Sequence, residues 1–307
     1  MASLKNIKLK ILSYKKTGTV THAMEAVSAV KMRKGQERAL SGRAYAAAAL
    51  SILEKLSGTV DAAQHPLMHD RSGAKTSIIV ITSDKGLAGA LNSGVIRAVE
   101  QMIREKDLKK EDVIIVGYGR RGSDYFASRG YDVRERADNK SDAIAEGDMS
   151  DVTRKILGWH ESGEVGSVFV AYQNFISTFE QEPVVRQIVP ITPEIIRSMV
   201  AGIRPARGKY APLHDEMTSH RVSAYTIEPD ADSILRVLLP KLVNISIFHA
   251  LLESKASEHS ARMVAMKNAT DKAKEMAHNL TRTFNKVRQA AITREVSEIT
   301  SGIEAMR

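Results

Sequence analysis

The chain reads as an α/β protein in which a long antiparallel coiled coil, made from its N- and C-terminal helices, carries an inserted α/β domain. Three observations predict this. The final stretch from Pro240 to Met306 contains no further proline and one glycine, Gly302. Residues 3–57 are likewise free of proline. Between these ends, short β-branched runs alternate with helix-like segments, the pattern of a sheet covered by helices.

The first element, residues 1–57, is rich in Ala, Lys, Arg, Met and Leu, all good helix formers. An apolar stripe passes through Leu4, Ile7, Ile11 and Tyr14, then Val20, Met24 and Val27, and resumes at Ala39, Ala46, Leu50 and Leu53. Gly18, Gly35 and Gly42 each cost a helix about 1 kcal/mol relative to alanine, so this helix needs a partner.

The second element, residues 75–200, is expected to be a Rossmann-like α/β domain. Thr76–Thr82, Val113–Val116 and Ser167–Tyr172 are short apolar runs that read as buried strands, and Val184–Ile191 adds another. Helices are expected near Asn92–Glu105, Gly122–Ser128 and Met149–His160, with one more led by Pro193. Residues 201–230 follow as loop and foot: Gly202–His220 is rich in Gly, Pro, Arg and His, and Glu228-Pro229-Asp230 reads as a turn and cap.

The last element, residues 231–307, carries the strongest periodicity. Leu252, Ala256, His259, Met263, Met266, Thr270, Ala273, Ala277, Leu280, Phe284, Val287 and Ala291 recur at alternating spacings of four and three. This is the stripe of a helix lying against another helix. At about 1.5 Å per residue the segment is roughly 100 Å long, more than a compact domain can contain. Ala46, Ala256, Ala273 and Ala277 would let two backbones approach closely, and Leu280 and Phe284 should be buried near the start of the first helix.

Composition narrows the function. The 307 residues include no cysteine, which rules out disulfides and thiolate metal ligands. No signal peptide and no apolar run near 18 residues stand out, so the chain is not expected to enter or span a membrane by itself. Residues 1–57 hold 11 Lys and Arg against 3 Asp and Glu, residues 233–307 hold 12 against 7, and the middle is net −4. A basic coiled coil beside a mildly acidic domain points to an acidic partner.

One motif invites an enzymatic reading. Gly117-Tyr118-Gly119-Arg120-Arg121-Gly122 satisfies G-x-G-x-x-G, with Glu135 following. It comes after the second strand, not the first, and contains two arginines, so a tight strand-to-helix turn is the better account. Asp84–Gly89 lacks phosphate-loop spacing, and His65 and His69 flank Pro66 with no third ligand. No catalytic constellation, metal site or cofactor site emerges. Two other classes stay open: a basic coiled-coil nucleic-acid-binding or scaffold protein, and a dinucleotide-dependent enzyme. Aromatics at 5 % argue against base stacking on the arm.

The residues also carry a resemblance. Val20–Val27 (VTHAMEAV) with Lys31-Met32-Arg33-Lys34, Ser83–Asn92 (SDKGLAGALN), Glu228-Pro229-Asp230, Ala256–Met266 (ASEHSARMVAM) and Asn285–Glu295 (NKVRQAAITRE) resemble, in order, the γ subunit of F-type ATP synthases. Ala88 stands where members often have cysteine, and Ile303 where alanine is usual. The cysteine-bearing insertion of chloroplast members and an Arg- and Ser-rich leader are both missing, so a bacterial protein is expected.

The resemblance implies a central rotor shaft and no catalytic role. The coiled coil would enter a ring of α and β subunits, while the α/β domain and foot would sit with the ε subunit on a membrane-embedded c-ring. Rotation would then couple transmembrane ion flow to ATP synthesis or hydrolysis. The implied location is peripheral, on the cytoplasmic face of the bacterial inner membrane, with no nucleic acid among the partners. Residues implied to meet the α/β ring are Met24, Lys31, Arg33, Lys34, Arg288, Gln289 and Thr293, with Ile292, Val296, Ile299, Ile303 and Met306 as an apolar tip. Tyr225, Glu228 and Asp230 are the implied contacts of the foot with c-ring and ε.

Overall fold

The computed structural model describes residues 4–56, 65–71, 73–139, 146–192, 194–195 and 231–306. Its long elements are α1 (Leu4–Leu56), β1 (Lys75–Ile81), α2 (Leu91–Glu105), β2 (Val113–Tyr118), α3 (Arg120–Ser128), β3 (Asp132–Ala137), α4 (Ser150–Glu161), β4 (Val165–Phe175), β5 (Gln181–Val189) and α5 (Ala231–Ala305). The chain divides into two compact units, residues 1–28 with 262–307, and residues 29–261.

In the larger unit the sheet has the order β3-β2-β1-β4-β5. The first four strands are parallel, and β5 returns antiparallel to β4 through a hairpin at residues 176–180. The sheet is thus parallel with one antiparallel strand at its edge. Alternation explains the two cores. Ile78 and Val80 point to the face covered by Val95, Val99 and Ile103 of α2 and Phe126 of α3. Ile79 and Ile81 point to the other, covered by Ile156 of α4 and Leu239, Leu242 and Val243 of α5.

Strand β3 is invisible to a search for apolar runs. Its sequence DVRERA is charged because it is an edge strand, half-exposed along most of its length. Arg134 is held there by Glu164 at 2.7 Å and Asp132 at 3.0 Å. Helix α5 also corrects the membrane reading: one 18-residue stretch within it is apolar enough to cross a membrane by composition, and 61 % of that stretch is buried inside the protein. The stretch is core, and its apolar face covers the sheet. Pro240 lies inside α5, which begins nine residues earlier at Ala231.

In the smaller unit, α1 and α5 segments run antiparallel. The hydroxyls of Thr21 and Thr270 meet at 2.6 Å, and a Cβ on Gly18 would touch that of Ala273 at 3.6 Å. The α5 side of the seam follows the expected residues: Met266, Thr270, Ala273 and Ala277 are buried. Leu280 and Phe284, expected to be buried, are only half-buried, because the pairing thins toward the start of α1. The α1 side differs more. Ile7 is buried as expected, but Val20 and Val27 are 58 % and 55 % exposed, and the seam passes instead through Gly18 and Ser28, with Thr21 partly buried. Close helix packing selects small residues, and the larger valines are turned outward.

His160 of α4 makes the larger unit sensitive to acid. Its ring is fully buried, with Nδ1 2.8 Å from the carbonyl of Val165 and Nε2 3.2 Å from that of Pro66. Burial, the dominant cause, pulls the imidazole below its ordinary value, against two carbonyls that favour the charged form. A base depressed in the folded state is protonated first in the unfolded chain. Its contribution is thus complete above about pH 6.5 and lost as pH falls through the lower, folded value. Thermal unfolding at pH 7.5 and 5.5 should show a smaller acid-induced drop in His160→Gln than in the parent. Equal drops in the two proteins would show that His160 does not carry the effect.

Candidate functional site

The end of α5 is bare. From Arg288 to Met306 every residue is exposed except Ala291, which is half-buried. Ile292, Val296, Ile299 and Ile303, spaced four, three and four residues apart, share one face and are 51–64 % exposed. Arg288 borders this stripe on one side, and Gln289 and Thr293 on the other. The structure thus brings together seven of the expected ring-contacting residues on one surface. The hydroxyl of Thr293 donates to the main-chain oxygen of Gln289 at 3.0 Å, which leaves the Gln289 amide group clear of that bond.

The remaining candidates lie elsewhere. Met24, half-buried, belongs to the smaller unit, whereas the exposed Lys31, Arg33 and Lys34 belong to the larger one. Tyr225, Glu228 and Asp230 lie outside the described residues. Sequence reading missed a groove between the helices of the smaller unit, lined by Lys15, Gly18, Thr19 and His22 of α1 and by Lys274, Ala277, His278 and Thr281 of α5. The signal was present in the small residues Gly18 and Ala277, which open a floor between basic side chains.

The glycine motif is built as a turn. Gly119 has φ 98° and ψ 144° and precedes α3, and Gly122 lies in the first turn of that helix. The anion-binding position at the head of that helix is filled by the chain itself. Arg120 N–H donates to Asp84 Oδ1 at 2.9 Å, Arg121 N–H to the Ser83 carbonyl at 3.2 Å, and Gly122 N–H to Thr82 Oγ1 at 2.9 Å. Asp84 Oδ2 accepts from Asn139 N–H at 3.0 Å. A pyrophosphate would have to displace a carboxylate already satisfied on both oxygens.

The crevice at the carboxyl ends of the strands, where open α/β sheets receive ligands, is also filled. Residues 249–260 of α5 are all buried. Glu253 accepts from Phe175 N–H at 3.2 Å, and Ser257 donates to the Gln173 carbonyl at 3.0 Å. Among the described residues no group of three His, Asp or Glu side chains is placed to hold a metal ion. The chemistry this arrangement offers is recognition by an exposed helix.

The comparisons agree along the full chain. A family model described as ATP synthase matches residues 3–306. The chain is 37 % identical over 306 residues to the ATP synthase gamma chain of Pelotomaculum thermopropionicum, with 100 % of each covered. It is 34 % identical over 307 residues to that of Staphylococcus saprophyticus, again with 100 % of each covered. Among solved structures, the fold is similar to a chain of the Euglena gracilis mitochondrial ATP synthase (OSCP/F1/c-ring), with TM-score 0.63, 16 % identity and 99 % and 94 % coverage of the two chains. It is also similar to a chain of the Tetrahymena thermophila mitochondrial ATP synthase central stalk and c-ring, with TM-score 0.57, 21 % identity and 81 % and 99 % coverage. With full-length identity above a third to curated relatives and a family model spanning nearly every residue, the chain belongs to the ATP synthase gamma chain family.

Proposed function

We propose that this chain is the central rotor shaft of a bacterial F-type ATP synthase. The observation that carries the reading is the bare end of α5, an apolar stripe bordered by Arg288, Gln289 and Thr293. An apolar stripe left exposed in this way marks a surface that a partner covers. In this reading the partner is the ring of α and β subunits. Ile292, Val296, Ile299 and Ile303 turn in an apolar sleeve, which offers little resistance because apolar contact is non-directional. Arg288, Gln289 and Thr293 supply directional hydrogen bonds to the β subunits, and Lys31, Arg33, Lys34 and Met24 add contacts further along α1.

The α/β domain with Tyr225, Glu228 and Asp230 faces the ε subunit and the c-ring on the cytoplasmic side of the membrane. Ion flow turns the ring and shaft together. Each shaft angle makes different contacts with the three β subunits and so favours a different conformation of each. The nucleotide chemistry belongs to those subunits, and the shaft contributes no catalytic group. The bound Asp84 at the head of α3 supports this against the dinucleotide reading.

Co-expression with the α and β subunits of a close bacterial relative tests the assignment. The tagged chain should recover both in one complex that hydrolyses ATP. Recovery of the folded chain alone, together with saturable binding of duplex DNA or NAD, would replace this reading with one of the two alternatives.

A further inference from the structure

We infer that Glu253, Lys255, Ser257 and Ser260 form a two-sided key that locks α5 against turning inside the α/β domain, with Lys255 as its principal positioning residue. The inference rests on the shaft reading and specifies how torque passes within the larger unit. A helix covering a sheet is expected to present apolar side chains. Along this stretch it buries Glu253 (1 % exposed), Lys255 (5 %), Ser257 and Ser260 (both 0 %). Replacing buried charges by well-packed apolar residues is often neutral or stabilising, so their presence here is poorly explained by stability alone.

What these side chains bond to explains them better. Glu253, Ser257 and Ser260, spaced four and three residues apart, share one face of α5. They hold Phe175 N–H at 3.2 Å, the Gln173 carbonyl at 3.0 Å and the Thr178 carbonyl at 2.5 Å, all in β4 or the hairpin after it. Gln181 of β5 also donates to Ser260 Oγ at 3.4 Å. Lys255 is two positions from both Glu253 and Ser257, and therefore on roughly the opposite side of the helix. Its ammonium donates to the Asn139 carbonyl at 2.6 Å and lies 3.8 Å from Glu258.

Asn139 is itself anchored. Its side chain donates to the Thr82 carbonyl at 2.6 Å, and its N–H donates to Asp84, whose other oxygen takes Arg120 N–H. Lys255 thus hooks α5 to the loops at the ends of β1 and β3 and to the head of α3. Apolar contacts slide, but hydrogen bonds to fixed main-chain groups weaken steeply when misaligned. Because the bonds sit on two sides and end on fixed groups, rotation of α5 about its own axis in either direction misaligns both sets.

Lys255→Met keeps the stem and removes the ammonium. In the complete synthase in sealed vesicles, ATP hydrolysis should stay within about twofold of the parent while ion pumping per ATP falls about fivefold, a split that lost folding would not produce. In the full-length isolated chain, the Asn139 and Arg120 amides should exchange about tenfold faster, with the β4 amides unchanged. Ser257→Ala/Ser260→Ala releases the other side, should give the same pumping split, and decides the matter if Lys255→Met fails to assemble. An unchanged ratio of pumping to hydrolysis in an assembled variant overturns the key, as does unchanged exchange at both amides. Failure of the parent chain itself to support pumping would strike the shaft reading instead, and the exchange result would still decide whether Lys255 holds the loops.

Discussion

Gly119→Ala should destabilise the α/β domain by about 3 kcal/mol or more, a large share of the roughly 5–15 kcal/mol that an ordinary domain has. A Cβ built at this position falls 2.0 Å from the Thr82 carbonyl oxygen and 2.7 Å from its carbon. Neither atom can yield. Thr82 N–H is bonded to the Tyr118 carbonyl at 2.7 Å, and Gly119 N–H to the Ala137 carbonyl at 2.8 Å, so the clash lies where three strand ends are laced together. The φ of 98° adds a second cost that any side chain would bear. Urea unfolding of the full-length chain measures the loss, and calorimetry with NAD on the parent separates the two readings of the motif. A structural turn predicts lost stability and no NAD heat from the parent. A parent that binds NAD saturably, with a variant that stays folded and loses only that binding, would restore the dinucleotide reading.

That motif shows how much sequence alone can settle. The pattern of glycines was legible, but the residue filling the anion position, Asp84, lies 35 positions before Gly119, and only the fold brings the two together. Strands β1, β2 and β4 were legible because both their faces are buried, which leaves unbroken β-branched runs. Strand β3 was not, since an edge strand protects itself with charge. The seam of α5 was legible through its long repeat. The seam of α1 was misjudged at Val20 and Val27 because apolar size was taken as the sign of burial, whereas the buried positions are Gly18, which faces Ala273, and Ser28. The burial of Glu253, Lys255, Ser257 and Ser260 escaped notice for a related reason: Ser, Glu and Lys in a helix read as a solvated face, and their main-chain partners lie about 80 to 115 positions away.

The bare end of α5 was the most legible part of the candidate site, since its apolar residues recur at helical spacing. Exposure at Ile299 and Ile303, 64 % and 60 %, is what a helix shows when its partner is another molecule. The same exposure means that substitutions bordering the stripe can be separated from folding, which is the condition a functional test requires.

Arg288→Ala combined with Gln289→Ala should lower ATP synthesis by the assembled complex about tenfold or more while leaving the isolated chain helical and equally stable. Both side chains are exposed, and the Thr293 hydroxyl bonds the main-chain oxygen of Gln289, which alanine retains. Nothing in the fold depends on them. In the proposed shaft they would face the β subunits, where a guanidinium and a carboxamide offer directional bonds that an apolar stripe cannot. A shaft biases a β subunit only by the difference in contact it makes with two conformations. Removing directional contacts while keeping Ile292, Val296, Ile299 and Ile303 leaves a shaft that still seats and turns but grips less. ATP synthesis should therefore suffer more than assembly, and more than the binding of nucleotide to the β subunits. Circular dichroism and thermal unfolding of the isolated chain, subunit recovery on co-purification and ion-driven synthesis in vesicles read folding, assembly and synthesis separately. Synthesis at the parental rate would remove Arg288 and Gln289 from the grip. Loss of helicity in the isolated variant would show that they belong to the fold of the helix end, and the apolar stripe alone would then have to account for the coupling.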